Sequence, residues 1–495
     1  MKLFSEPKNT RKTRQVPESS PENPLTIEDG FETIEKTEAI QSKDSFSKNE
    51  VSFESLGLCD WLIDSCKAMG FNRPTSVQSY CIPAILSVSD SDSKKRRDVM
   101  GMAHTGSGKT AAFALPILHD LSRDPFSVFA LVITPTRELA FQISEQFEAF
   151  GALIKVKVCK LIGGISFVKQ GTELERRPHI IIATPGRLRD HLIGPMPPDL
   201  SKIKYLVLDE ADRLLTSGFQ AEIAEIVKAV PDDRQTLLFS ATMTQNLMDL
   251  EILSLSKPIK YDLSNKATVP KSIKQEYLFI PQQVKACFLV GTLQAICHPS
   301  IVQLNGSNKL NRKNKKEKIV GEKVRKNRAG GAKLAIVFVG TCSMCQEICE
   351  TLLLLGINCV CLHSAMTQNR RLAALGKFKS RRANILVCTD VCSRGLDIPE
   401  VDLVINYNVP KVATDYVHRV GRTARAGRLG RALSLVTQYD IELVHNIEEF
   451  IGVKMELCRD VDEEEALKLL KMVAKGSRVA KSKLSTYGFD EEIEK

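Results

Sequence analysis

From Phe53 onward, short runs of Val, Ile and Leu alternate with longer stretches of helical periodicity. FALVI (129–133), HIIIA (179–183), YLVLD (205–209) and TLLFS (236–240) are bounded by turn or polar residues. Runs this short and apolar predict strands buried on both faces, as in a parallel sheet covered by helices. The rhythm breaks over Lys257–Lys274, a polar stretch with two prolines, and resumes with AIVFV (335–339), CVCLH (359–363), ILVCT (385–389), LVINY (403–407) and ALSLV (432–436). The pattern predicts an α/β protein of two tandem domains, spanning 51–258 and 275–455, joined by a linker over 259–274.

Residues 1–50 are rich in Ser, Glu, Lys and Pro without periodicity, and read as a disordered leader. Two insertions interrupt the rhythm, SVSDSDSKKRR (87–97) and about 299–332. Residues 456–495 read as a C-terminal helix and tail. Asp462 is placed to cap the helix, Glu463–Glu465 fall in its first turn and Lys475 in its last, and Gly476 is expected to stop it.

At 495 residues and 43% hydrophobic, the chain has material for sizeable cores in two or more domains. No apolar run approaches the ~18 residues of a membrane span, so no membrane partner is expected. The polar start, MKLFSEPKNTRKTRQ, offers no secretory signal. The 14 scattered Cys then favour reduced thiols in a cytosolic or nuclear compartment. Charge changes the picture only once it is located. Of the formal +10, a net +9 lies between Lys309 and Lys333, so a near-neutral body carries one basic segment.

Three clusters carry chemistry. DVMGMAHTGSGKT (98–110) is an apolar segment leading into a Gly-rich turn. Gly106 and Gly108 let backbone N–H groups converge, Lys109 can reach β/γ phosphates, and the Thr110 hydroxyl can ligate Mg²⁺. YLVLDEAD (205–212) sets Asp209 and Glu210 at the carboxyl end of a buried strand, where ligands sit in open parallel sheets. Asp209 can hold the Mg²⁺ and Glu210 can deprotonate an attacking water. HRVGRTARAGRLGR (418–431) brings arginines from the domain without the phosphate loop. Arg422 and Arg425, three apart on a helix, share a face and suit a transferring γ-phosphoryl group.

Taken together and in order, the motifs resemble those of the DEAD-box ATP-dependent RNA helicases. The likeness runs from about Phe53 to Thr437 through GFNRPTSVQ (70–78), AHTGSGKT (103–110), PTRELA (135–140), GG (163–164), TPGR (184–187), the literal DEAD (209–212), SAT (240–242), TDVCSRGLDIP (389–399) and HRVGRTARAGR (418–428). The resemblance implies two RecA-like domains. It implies ATP bound by Phe71, Arg73, Gln78 and the loop Ala103, His104, Thr105, Gly106, Ser107, Gly108, Lys109 and Thr110, with Gly395 and Asp397 from the second domain. Phe71 would stack on adenine and Gln78 would read its edge, for which a side-chain amide has both donor and acceptor. Lys109, Asp209, Glu210, Arg422 and Arg425 would be catalytic, with Mg²⁺ on Thr110 and Asp209.

Asp212, Ser240, Thr242 and His418 would couple hydrolysis to strand separation. Pro135, Thr136, Arg137, Gly164, Thr184, Arg187, Arg371 and Thr389 would contact RNA. Small residues, Gly and Arg suit phosphate and 2′-OH recognition without base readout. The implied activity is RNA-stimulated ATP hydrolysis driving local unwinding or RNP remodelling, with a slow ATP-gated RNA clamp as alternative. The TPGR, DEAD and Gln78 forms argue against a DNA translocase.

The overall sequence is also similar to nucleolar members that act in small-subunit ribosomal RNA maturation. That implies a monomer in the nucleus, the nucleolus foremost and the cytoplasm still open, with pre-ribosomal protein partners. Ala424 stands where the family's last motif usually has Gly, and is expected to be tolerated as a better helix former. The basic insertion is not a family feature; an RNA grip, an import signal and a neutral expansion all remain open. Cys342, Cys345 and Cys349 lack a second pair at zinc spacing and read as a thiol-lined helix face. Trp61 sits in an amphipathic segment and is expected in the core.

Overall fold

The computed structural model describes residues 51–87, 96–103, 106–216, 218–241, 258–262, 269–270, 272–297, 331–390, 398–424 and 429–487. The leader, both insertions for most of their length, and His104, Thr105, Thr242, Gly395, Asp397 and Arg425 lie outside them.

Two seven-stranded parallel sheets organise the chain. The first contains β1 (Val99–Met102), β2 (Ala130–Ile133), β3 (Val158–Leu161), β4 (Ile180–Ala183), β5 (Tyr205–Asp209), β6 (Gln235–Ser240) and β7 (Ile259–Asp262), in the order β3-β4-β2-β5-β6-β1-β7. The second contains β8 (Ile273–Phe279), β9 (Ala335–Phe338), β10 (Cys359–Leu362), β11 (Ile385–Cys388), β12 (Leu403–Asn406), β13 (Gly430–Val436) and β14 (Glu456–Leu457), in the order β10-β11-β9-β12-β13-β8-β14.

Sequence explains who sits where. IIIA of β4 and ALVI of β2 are buried at every position, as a strand covered on both faces must be. The edge strands β3 and β7 alternate in exposure and turn Lys160 and Lys260 outward, which blunts the open edges. Helices Lys109–Arg123 and Arg137–Phe150 bury Phe113, Ile117, Leu118, Ile143 and Phe147 against one face of the first sheet. Trp61 is partly buried and packs on that same core.

The expected strands recur within a residue or two. The stretch read as a linker begins with β7, whose Ile259 pairs with Val99, and ends inside β8. The C-terminal segment departs further from expectation. Asp462 does cap helix Glu463–Lys468, accepting from Glu464 N–H, but a second helix, Leu470–Tyr487, runs through Lys475 and Gly476. A mid-helix Gly costs about 1 kcal/mol relative to Ala. Packing outweighs it: Gly476 is buried beside Thr351 of helix Cys342–Leu354, and Val473 and Ala480 are buried with it. No helix among the described residues is long and apolar enough to cross a membrane.

A parallel sheet delivers all its carboxyl ends to one edge, and the strand order sorts what they carry. In the first sheet, β1, β5 and β6 end in the phosphate loop, the acidic cluster and Ser240. On the other side of β5, the ends of β2, β4 and β3 lead to Thr134–Arg137, Thr184–Arg187 and Gly163–Gly164. One edge thus holds the glycine-rich loop and the acidic cluster on one side and the arginine-bearing turns on the other.

Candidate nucleotide and RNA site

The phosphate loop is shaped by its glycines. Gly106 and Gly108 have φ of 83° and 89°, a backbone that other residues avoid, and Lys109 opens helix Lys109–Arg123 directly behind them. The helix N-terminus therefore faces the concavity. The buried Lys109 ammonium donates to Ala103 O at 2.6 Å, and Ser107 Oγ is buried with no hydrogen-bond partner among the described residues. An orphaned hydroxyl beside a helix N-terminus is the donor set an incoming phosphate completes.

Gln78 braces this loop. Its helix, Ser76–Leu86, starts in a capping box, where Gln78 Oε1 accepts from Thr75 N–H at 2.9 Å. Gln78 Nε2 donates to Gly108 O at 3.1 Å, so the residue assigned to adenine also ties the adenine side to the phosphate loop. A Cβ on Gly108 would lie 2.4 Å from Gln78 Nε2, a second reason for glycine there. Phe71 is half-buried, its ring centroid 5.5 Å from that of Phe150, and Arg73 is exposed. Phe53 is buried in the core.

Asp209, Glu210 and Asp212 are all nearly inaccessible. Burial, reinforced by Glu210 and, more weakly, Asp212, pushes the Asp209 carboxyl up to about 7, against the pull of Lys109. Asp209 also accepts from Glu210 N–H at 3.0 Å. Burial and the neighbouring carboxylates disfavour the charge on Asp209, a cost that a divalent cation would relieve, and carboxylate oxygens are the hard donors Mg²⁺ takes. The residues fit Mg²⁺, with Asp209 and Thr110 to hold it. Glu210 has φ of 50°, a left-handed backbone that costs a non-Gly residue of order 1–3 kcal/mol. The turn from strand to helix Ala211–Thr216 thus fixes Glu210 in a conformation it would not otherwise choose.

The basic half is equally built. Thr136 Oγ1 caps helix Arg137–Phe150 by accepting from Leu139 N–H at 3.3 Å. Thr184 and Pro185 begin helix Pro185–Leu192. The Arg137 guanidinium lies across Gly163 and Gly164, where added Cβ atoms would meet it at 2.7 and 2.6 Å. Burial and then the neighbouring Arg371 and Arg187 push Arg137 downward, with Glu138 opposing. Arg371 and Arg187 beside Arg137 make a cationic cluster that suits a phosphate. Arg187 also donates to Ile165 O at 3.2 Å, and Thr389 Oγ1 is buried without a hydrogen-bond partner among the described residues.

The two lobes meet through residues that the sequence reading largely missed. Arg371 pairs with Glu138 at 2.7 Å, and Gln368 Nε2 donates to the same carboxylate at 3.3 Å. Arg213 donates to Asp390 O at 3.2 Å, and His418 Nε2 lies 3.6 Å from Asp212 Oδ2. Of the residues assigned to coupling, Asp212 and His418 are in contact; Ser240 is buried at the end of β6, and its carbonyl accepts from Ala103 N–H at 3.0 Å.

The arginine run needs two corrections. Its helix, Ala413–Val420, ends before Arg422, which sits buried in the following turn rather than on a helix face; Arg425, expected to share that face, lies outside the described residues. Ala424 is not helical either but has φ of 56°, so helix propensity does not explain its tolerance. Left-handed backbone costs an L-residue about 1–2 kcal/mol. Ala424→Gly is therefore expected to raise the thermal midpoint, and an unchanged or lower midpoint by calorimetry would contradict this. Arg419, counted in the same cationic run, is an internal brace. It holds both Asp390 carboxylate oxygens at 2.6 and 2.8 Å and donates to Asn408 O at 2.7 Å.

Cys349 and Cys359 lie 3.6 Å apart, sulfur to sulfur, in a buried contact. The group among the described residues with metal-like spacing is Glu276, Cys458 and Asp460, and Arg431 fills it, 2.5 Å from Glu276 and 2.7 Å from Asp460.

Comparison with known proteins agrees with this geometry. Residues 75–250 match the DEAD/DEAH box helicase model and residues 315–427 the helicase conserved C-terminal domain. The chain is 44% identical to DEAD-box ATP-dependent RNA helicase 36 of Arabidopsis thaliana over 451 residues, 91% of this chain and 84% of that one. It is 43% identical to ATP-dependent RNA helicase DDX47 of Drosophila melanogaster, covering 89% and 78%. Among solved structures, S. cerevisiae Dbp5 bound to RNA and ADP BeF3 superposes with a TM-score of 0.68 at 26% identity, covering 85% of this chain and 99% of that one. Mss116p bound to ssRNA and AMP-PNP gives 0.70 at 28%, covering 89% and 86%. Each sheet with its helices is a RecA-like domain, and the chain belongs to the DEAD-box family of ATP-hydrolysing RNA helicases.

Proposed function

We propose that this helicase unwinds short RNA duplexes locally, or remodels RNP, in ribosomal RNA maturation within the nucleus. The single observation that carries local unwinding is the meeting of both halves at one edge. The acidic cluster touches lobe two through Asp212 and His418, and the basic half touches it through Glu138 and Arg371. ATP and RNA are then both held by the same closure of the lobes.

In this reading Lys109 and the helix N-terminus hold the triphosphate, and Asp209 and Thr110 orient Mg²⁺, which supplies charge neutralisation at the phosphates. Glu210 takes the proton of the attacking water. Arg422 and Arg425 offset the charge that develops on the γ-phosphoryl group. Arg137, Arg187, Gly164, Thr184, Arg371 and Thr389 grip one strand by its backbone, so sequence preference is small and specificity comes from protein partners.

The ribosomal assignment rests on the overall resemblance to the nucleolar subgroup. Depletion in cells should make small-subunit ribosomal RNA precursors accumulate, rescued by wild type and not by Glu210→Gln; unchanged precursor levels would refute the assignment. The clamp alternative separates by kinetics: an ATP-bound RNA complex that outlives many unwinding times would favour it.

A further inference from the structure

Helix Leu470–Tyr487 carries Lys471, Lys475, Arg478, Lys481 and Lys483 and no acidic residue. Its +5 stands out because, with the 309–333 segment also set aside, the rest of the chain is net negative. The five cations divide by face. Val473, Gly476 and Ala480 bury the inner face on helix Cys342–Leu354, and Ser477 donates to Glu347 at 2.8 Å. Lys481 and Lys483 flank that contact and pair with Glu347 and Glu350 at 3.6 Å each. Lys471, Lys475 and Arg478 are exposed on the opposite side, at the i, i+4, i+7 spacing of one helical stripe.

Among the described residues these three cations have no ion-pair partner, and like charges at i, i+4 on a helix repel weakly, a cost that an anionic ligand would relieve. Their rise along the axis is regular, about 6 Å and then about 4.5 Å at 1.5 Å per residue. That suits a run of backbone phosphates better than a single carboxylate. The stripe also lies away from the cleft. Gly476 rests against Thr351, whereas Ser477 and Lys481 reach back to Glu347, so the two helices run antiparallel. The N-terminal half of Leu470–Tyr487 therefore lies toward the far end of Cys342–Leu354, whose first residues leave the carboxyl end of β9.

We propose that Lys471, Lys475 and Arg478 form a second RNA-binding surface on the flank of lobe two, gripping the phosphate backbone of a duplex or strand that continues beyond the cleft. This rests on the RNA-helicase reading of the cleft, and it extends the footprint without adding base readout.

The test compares full-length wild type with Lys471→Gln/Lys475→Gln/Arg478→Gln on two RNAs, a short single strand filling the cleft alone and the same strand joined to a duplex. Each lost phosphate contact lowers the slope of log K against log salt by about 0.7–0.9. The variant should lose about 2–3 from that slope on the duplex-joined RNA. Its affinity for the short strand and its ATPase rate on it should stay unchanged. Lys471→Arg/Lys475→Arg, which keeps every charge, should behave as wild type on both. An unchanged slope on the duplex-joined RNA overturns the proposal, and so does equal loss on both RNAs. In either case, wild-type binding to the short strand with RNA-stimulated ATPase leaves the helicase reading standing. Failure of wild type to bind either RNA overturns both.

Discussion

Glu210→Gln is expected to lower the RNA-stimulated turnover of ATP by about 10²- to 10⁴-fold, the usual contribution of a positioned general base. The replacement keeps the size and planarity of the side chain and removes its ability to accept the proton. It leaves the phosphate loop and Asp209 in place, so ATP affinity should hold. In the proposed cycle hydrolysis opens the closed arrangement, so the ATP-bound variant should also release RNA far more slowly than wild type. Single-turnover hydrolysis and RNA dissociation measured on one preparation check both effects. Retained turnover with weakened ATP binding would mean that Glu210 orders the strand-to-helix turn, where it holds a φ of 50°, rather than acting on the reacting water.

Arg371→Ala should weaken ATP-dependent RNA binding by about 10²- to 10³-fold. Arg371 and Glu138 are 4% and 1% exposed in their pair, and they come from different lobes. Removing one partner of a buried pair costs about 3–5 kcal/mol, because a bare charge is left behind. The lobes can escape that cost by separating and rehydrating Glu138, so the penalty falls on closure rather than on the folding of either sheet. Glu138→Ala/Arg371→Ala should therefore recover part of the loss, since no buried carboxylate then remains. Affinity measured with a non-hydrolysable ATP analogue distinguishes the cases. Strict additivity would show that Arg371 acts only as an RNA contact and that its pairing with Glu138 carries no closure energy.

The sheets were legible because a buried parallel strand leaves a run such as IIIA or ALVI that little else produces. The nucleotide half was legible for a related reason: phosphates demand Gly106, Gly108 and Lys109 in a fixed local order. Contacts between lobes have no such local signature. Glu138, in the first turn of an amphipathic helix, looks like an ordinary partner of the helix dipole, and only the fold brings Arg371 to it. Arg419 misled in the opposite direction. It stood in a cationic run, yet Asp390 and Asn408, neither adjacent in sequence, absorb it. Ala424 and Gly476 were misjudged because propensity was weighed without tertiary context. One sits in a left-handed turn after the helix has ended, and the other lies against a neighbouring helix that keeps its own helix running.

Steady-state ATPase activity of the full-length protein, without nucleic acid, with single-stranded RNA and with matched DNA, tests the central claim most directly. If one edge holds both ligands and closes on them together, hydrolysis should be slow alone, strongly stimulated by RNA and little changed by DNA. A rate equal with and without RNA would contradict the coupling of the acidic and basic halves, and the site would then be an ATPase beside an RNA-binding surface rather than one machine.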